Sequence, residues 1–379
     1  MAEEVFITRL SNFFPNDAVS NDEMEEFLGL IDNEESKGKG LVLRNNKIKK
    51  RYYALDKEGN ITHSNAELTH EAIKKLLDNS FAIEDLELLA CGTTSPDQLL
   101  PSHASMVHGL LKTHPLEIIS TAGSCNAGMH AMKYAFISLK SDNSQNAICT
   151  GSERLSAMMH SNNFNYEVRR MKELEKNPVI AFEKDFLRWM LSDGAGAALL
   201  QNEPNSNGIS LRIDWIEMKS FANELDTCMY FGAEKQADGS LKGWLDHDSK
   251  EWLEKSLFAL KQDVKLLSSN IVEKGGEYLF EVLNKRGFDV NEIDYFLPHI
   301  SSEFFRNKVE EMTKDVGRHI PQEKWFTNLT DVGNVGSASV YLMLEELFNS
   351  GKLQKGEKVF LMVPESARFS YSYALLTVV

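Results

Sequence analysis

Cysteine is scarce in this chain: four residues in 379, Cys91, Cys125, Cys149 and Cys228, with no CxxC pair among them. A disulfide framework and a zinc cluster both rest on closer spacings, so neither is expected, and the sequence predicts no metal and no cofactor. Long apolar runs are missing too. None approaches the roughly 18–20 residues that cross a bilayer, so no membrane span is expected. The start, Met1-Ala2-Glu3-Glu4-Val5, is acidic where a secretory leader is basic, which predicts a cytoplasmic protein. Basic charge is outnumbered, 41 Lys and Arg against 56 Asp and Glu, for a net charge of −15. Phosphate contacts need a basic surface, so nucleic acid is not an expected partner. What remains is an ordinary globular composition, 42% hydrophobic and 26% charged, in a chain long enough for two halves.

One cysteine has unusual company. In Ile118-Ile119-Ser120-Thr121-Ala122-Gly123-Ser124-Cys125-Asn126-Ala127-Gly128 small residues flank Cys125, and Met129, Met132, Phe136 and Leu139 then recur at helical spacing. A helix start leaves N–H groups unpaired and carries partial positive charge, and both favour a thiolate. This predicts a Cys125 more acidic and more reactive than the other three. Free cysteine is also among the most buried residue types, and Cys125 taken alone reads sooner as plain core than as a nucleophile.

Along the chain, apolar strands alternate with helical stretches and end in polar loops, as in an α/β sheet. Val5 to Leu10 reads as a strand, and Ser20 with Glu23 as a capping box opening a helix. Lys37 to Arg51 is basic and reads as an exposed connection. A helix over 68–78 leads to a strand over 86–91, and Asn146 to Glu153 repeats the strand-then-loop form. Ser161 to Lys184 is a polar excursion carrying Arg169, Arg170 and Lys172, read as a lid or channel cover. Met190 to Leu200 closes the first half, and a strand from Ser210 opens the second. Residues 226–248 read as loop. Trp252 to Leu283 is amphipathic and broken at Gly275-Gly276, and Tyr295 to Pro298 is a strand ending on His299. A helix through Val340 to Leu347 and strands over 358–363 and 371–379 end the chain.

Four motifs in order, Ser124-Cys125-Asn126-Ala127-Gly128, Asp193-Gly194-Ala195-Gly196-Ala197, Leu297-Pro298-His299 and Gly333-Asn334-Val335-Gly336-Ser337, resemble condensing enzymes of the thiolase superfamily, specifically ketoacyl synthase III. The resemblance implies a five-layered αβαβα sandwich of two similar halves, residues 1–202 with the cysteine and 203–379 with the histidine and asparagine, forming a homodimer. It implies Cys125 as acyl-accepting nucleophile, with His299 and Asn334 donating hydrogen bonds to the thioester carbonyl of a second substrate. The partners it implies are acyl carrier protein or coenzyme A thioesters. Backbone N–H groups of Cys125 and Ala367 would form the oxyanion hole, and Arg169, Arg170 and Arg306 are candidate carrier contacts.

The sequence departs from the family where a glycine-rich turn is usual, reading Pro364-Glu365-Ser366-Ala367-Arg368. With Phe13-Phe14-Pro15-Asn16 and Thr93-Thr94-Ser95-Pro96-Asp97, that turn resembles ketosynthases of dialkylresorcinol and related aryl-lipid pathways. Simple acyl transfer or thioester hydrolysis through the same cysteine stays open, as does a non-catalytic partner subunit.

Overall fold

Strands covered by helices on both faces carry near-continuous apolar runs, and most strands here do so. The structure is a computed structural model and describes residues 4–174 and 182–379. The start at Met1 to Glu3 and the 175–181 part of the polar excursion lie outside the described residues. The first half supplies β1 (Phe6–Phe13), β2 (Leu88–Thr93), β3 (Glu117–Thr121), β4 (Asn146–Glu153) and β5 (Gly194–Gln201). The second supplies β6 (Leu211–Ser220), β7 (Tyr295–Pro298), β8 (Lys358–Glu365) and β9 (Ser370–Val378). The longer helices are α1 (Asn65–Lys74), α2 (His103–Leu111), α3 (Ala127–Lys140), α4 (Asn162–Glu173), α5 (Val264–Arg286), α6 (Arg306–Asp315) and α7 (Ser339–Asn349).

The strand order is β7-β8-β9-β6-β1-β5-β4-β2-β3. Outward from the middle, each half runs first strand, last, last but one, second. The third strand of the first half, β3, has as its counterpart a single parallel bridge between Phe296 and Trp325. Only Phe6↔Arg212 and Ile7↔Leu211 join the two halves' strands into one ladder.

Period-two alternation sorts side chains between layers. Leu88 and Ala90 face a central layer with Met129 and Met132 of α3 and Val340 and Leu344 of α7. Leu89 and Cys91 face an outer layer with Leu68 and Ile73 of α1 and Val107 of α2. In the second half Val359, Leu361 and Val363 face the central layer, while Phe360 and Met362 face α5 and α6. The layers therefore run helix, strand, helix, strand, helix, the five-layered sandwich expected.

Three local readings are corrected. Ser20 and Glu23 do bond, Ser20 N and Oγ donating to Glu23 Oε2 at 3.0 and 2.6 Å, but the helix that follows covers only Met24–Leu28. Lys37 to Arg51 is no exposed connection: it holds a helix, Lys39–Asn46, with Val42 and Ile48 in the core and Arg51 fully buried. Sparse apolar positions anchor it, and Asn46 Nδ2 donates to the Trp189 carbonyl at 2.9 Å. Gly275-Gly276 does not break α5. A Cβ at Gly275 would lie 3.2 Å from the Tyr371 ring and one at Gly276 2.7 Å from Met312, so the pair serves close packing. Short strand pairs also occur within 226–248, where Ala233–Lys235 meets Leu241–Gly243.

The central helices leave little room at the boundary between halves. A Cβ at Gly151 would lie 2.3 Å from the Ser337 carbonyl oxygen, and one at Gly128 2.4 Å from the same atom. Backbone cannot yield there as a side-chain tip can. We expect Gly151→Ala to cost about 1–3 kcal/mol by overpacking, read as a lower urea midpoint at unchanged m. An unchanged midpoint would show that the halves are not so tightly apposed.

Candidate active site

Cys125 sits between the end of β3 and the first residue of α3. It is 8% exposed, against 0% for Cys91, Cys149 and Cys228, and it lines a cavity. His299 follows β7, its backbone N–H donating to the Met362 carbonyl at 2.8 Å, and lines the same cavity. The fold thus joins two residues 174 positions apart in sequence.

The cavity has room for about 40 Å³. Apart from Cys125, His299, Ser301 and Ser366 its walls are mostly apolar, from Ile271 and Val272 on α5, Val309 and Met312 on α6, and Met362 on β8. Tyr371 and Tyr373 form part of the wall with their hydroxyls turned into α5, donating to the Ile271 and Gly275 carbonyls at 2.9 and 2.8 Å. Their polar tips are spent, and only ring surface faces the space. A second cavity, about 220 Å³, shares Leu267, Ser301 and Phe305 with the first as wall residues and reaches the exposed Leu41 and Phe304.

Electrostatics at the sulfur differ from the expectation. Burial pushes the Cys125 thiol up to about 12; the Ser124 hydroxyl pulls it back in part, and the Glu365 and Glu153 carboxylates add to the rise. The amides counted on to favour a thiolate are already engaged, since the N–H groups of Ser124 and Asn126 donate to Glu365. The other three cysteines are also pushed up to about 12, so acidity does not set Cys125 apart. Access does. Neither glutamate drew notice in the sequence, although Glu365 lies in the stretch that departs from the family.

His299 is buried, and burial lowers its imidazole to about 4. Its Nε2 has no hydrogen-bond partner. Asn334 is 5% exposed, held by its backbone N–H to the Met190 carbonyl (3.1 Å), by the Ser192 N–H to its carbonyl (2.9 Å), and by the Gly336 N–H to its Oδ1 (3.0 Å). With Oδ1 engaged, its amide orientation is set. It is not among the residues lining the cavity. Asp193 of the glycine-rich motif is a buried hub, accepting N–H groups from Ala54, Leu155 and Ser156.

In the turn after β8, Pro364 and Ser366 line the cavity, while Ala367 lies off the lining with its carbonyl accepting from the N–H groups of Cys228 and Met229. Arg306 is held by Glu303 and by Thr327 at 2.9 and 2.8 Å, over the Trp325 ring. Arg169 and Arg170 are exposed on α4, where Arg170 pairs with Glu173 and Lys172 with Asp32.

A histidine neutral in the folded state makes stability depend on pH. The unfolded imidazole titrates near 6.5 and the folded one near 4, so between them the unfolded state binds more protons and stability falls as pH falls. The thermal midpoint of His299→Gln should therefore drop less than that of wild type between pH 6.5 and 4.5. Parallel slopes would show that His299 is not held neutral.

With this geometry in view, the comparisons with known proteins fall into line. The family described as 3-oxoacyl-[acyl-carrier-protein (ACP)] synthase III C terminal matches residues 283–373, which include His299 and Asn334. The β-ketoacyl-[acyl-carrier-protein] synthase III of Clostridium perfringens is 24% identical over 351 residues, 92% of each chain. That of Aquifex aeolicus is 24% identical over 349 residues, again 92% of each. Among solved structures, the tetronic acid condensing enzyme AbyA1 superposes with a TM-score of 0.77 at 18% identity, over 98% of this chain and 99% of that one. Xanthomonas campestris OleA, solved with bound lauric acid and lauroyl-CoA, gives 0.73 at 20% identity over the whole of both chains.

Proposed function

We propose that the chain is a ketoacyl-acyl-carrier-protein synthase III-like member of the thiolase superfamily and that it joins two acyl units through an acyl-Cys125 intermediate, a reading supported by its likeness to those enzymes. The observation that carries this reading is the shared cavity, where Cys125 and His299 both stand in a lining that is otherwise mostly aliphatic and ring surface. Such a lining suits a hydrocarbon chain whose thioester carbon rests against the sulfur.

In the first half-reaction Cys125 Sγ attacks the acyl thioester carbon, the bond to the carrier sulfur breaks, and that sulfur leaves as a thiol with the proton Cys125 gives up. In the second, the α-carbon of a malonyl or β-ketoacyl thioester loses carbon dioxide or a proton and attacks the acyl carbon. The new carbon–carbon bond forms, the bond to Sγ breaks, and the sulfur is reprotonated. His299, neutral with Nε2 unpartnered, is suited to donate a hydrogen bond to the thioester oxygen as enolate charge develops there. Asn334 is assigned the same task, and the Cys125 N–H the oxyanion of the first step.

The likeness of the Pro364 to Arg368 stretch favours a place in dialkylresorcinol or related aryl-lipid synthesis, with a β-ketoacyl thioester as second substrate. Acyl carrier protein or coenzyme A would deliver the acyl groups, with Arg169 and Arg170 as the proposed carrier contacts, both exposed, whereas Arg306 is part-buried against Glu303 and Thr327. Incubation with an acyl thioester followed by intact-mass measurement should add one acyl group to wild type and none to Cys125→Ala. Adding a malonyl or β-ketoacyl thioester should then release a product with a new carbon–carbon bond; free acid as the only product would overturn condensation.

We infer a homodimer as well. β3 is an edge strand, paired on one side only, with Tyr134 and Ile137 of α3 and Met106 of α2 exposed beside it. An open edge flanked by apolar residues suits self-complementary pairing with a second copy. Wild type should run as a dimer in light scattering and Ile137→Arg should shift it toward monomer; a monomeric wild type would end the proposal.

A further inference from the structure

Two buried glutamates occupy equivalent places in the two halves. Glu153 ends β4 and Glu365 ends β8, each the last strand but one of its half. Each receives an N–H from the approach to the other half's central helix: Ser337 N to Glu153 Oε1 at 3.2 Å before α7, and Ser124 N to Glu365 Oε2 at 3.3 Å before α3. Neither forms an ion pair among the described residues. Glu365 shares the parity of Val363, so it points into the central layer, and its neighbours Pro364 and Ser366 face the cavity.

The hydrogen bonds around Glu365 run one way. Ser372 Oγ donates to Asn126 Oδ1 at 2.6 Å, Asn126 Nδ2 donates to Ser370 Oγ at 2.9 Å, and the Ser370 hydroxyl donates to Glu365. The N–H groups of Ser124 and Asn126 donate to it too. Burial raises the Glu365 carboxyl above its usual range, and the Ser124, Asn126 and Ser370 donors pull it back; with donors on every side the network favours the carboxylate against that burial. Around the sulfur stand the Ser124 hydroxyl on its own loop at 3.7 Å, Glu365 from β8, Glu153 from β4, and the neutral His299 after β7. No lysine or arginine lines the cavity among the described residues.

We propose that Glu365 is a positioning residue for Cys125: ionised, it anchors the Ser124 to Asn126 turn across the boundary between halves and holds the sulfur as a neutral thiol in the resting protein. The inference rests on Cys125 being the acyl acceptor. Its consequence is a nucleophile guarded against alkylation and oxidation, which attack the thiolate, until an acyl donor occupies the cavity. Glu153 does the same structural task for α7, where no reactive group sits, and so marks what is particular to Glu365.

The test is the pH profile of Cys125 alkylation by iodoacetamide, with the modified residue identified by peptide mass. The wild-type rate should keep climbing with no plateau below pH 9. Glu365→Gln keeps the size of the group and removes its charge; its profile should move down by at least one pH unit, making alkylation about tenfold faster at pH 8. Glu365→Asp, which restores the charge, should move the profile back. Superimposed profiles for wild type and Glu365→Gln overturn the proposal, and so does a wild-type plateau below pH 9, which requires no variant to fold. Alkylation asks nothing of the condensation chemistry. Acyl capture from a thioester, measured in parallel, reports on the function reading, and either result can fail without the other.

Discussion

Everything at the site follows from how tightly the two central helices are held between the strands of the two halves. The Tyr341 hydroxyl of α7 donates to the Gly128 carbonyl of α3 at 2.8 Å, and the Ser337 carbonyl lies where any side chain at Gly128 or Gly151 would fall. Contact this close requires glycine on one side and small residues on the other. It also puts the first turn of α3, and Cys125 with it, deep in the molecule rather than at a strand edge open to water. The burial of Cys125 is therefore a property of the packing.

That burial decides an electrostatic contest. A helix start stabilises a nearby anion by about 0.3–1 kcal/mol, up to ~2 in favourable buried geometry. The rise of the Cys125 thiol from 9 to about 12 corresponds to roughly 4 kcal/mol in the opposite direction. Desolvation wins, the more so because Glu365 already occupies the amides through which the helix would act. At neutral pH the site holds a thiol and an imidazole, both uncharged, so no ion stands in the cavity to exclude an apolar chain.

The strands, the Cys125 loop and the layered architecture were legible because each left a periodic or motif-level trace: a near-continuous apolar run along β8, helical spacing after Cys125, and His299 at a strand end. What stayed hidden has physical reasons. Gly275-Gly276 reads as a helix breaker by propensity, yet propensity costs about 1 kcal/mol per glycine and is outweighed when a helix lies against Tyr371 and Met312. Lys37 to Arg51 looks solvated because charge dominates it, while Val42, Ile48 and the Asn46 amide anchor it inside. The role of Glu365 cannot be read from one sequence at all, since its partners Ser124 and Asn126 lie more than 200 positions away.

The division of polarity within the cavity ties these points together. Side chains along β8 alternate between faces, so Met362, Pro364 and Ser366 line the cavity while Glu365 meets the Ser124 turn from behind. One strand end thus supplies cavity wall and a buried carboxyl that does not line the cavity. Tyr371 and Tyr373, on the next strand, spend their hydroxyls on two carbonyls one turn apart on α5, which keeps the far wall free of unsatisfied donors. In a lining this apolar, the neutral imidazole of His299, its Nε2 unpartnered, is left as a hydrogen-bonding group facing the cavity.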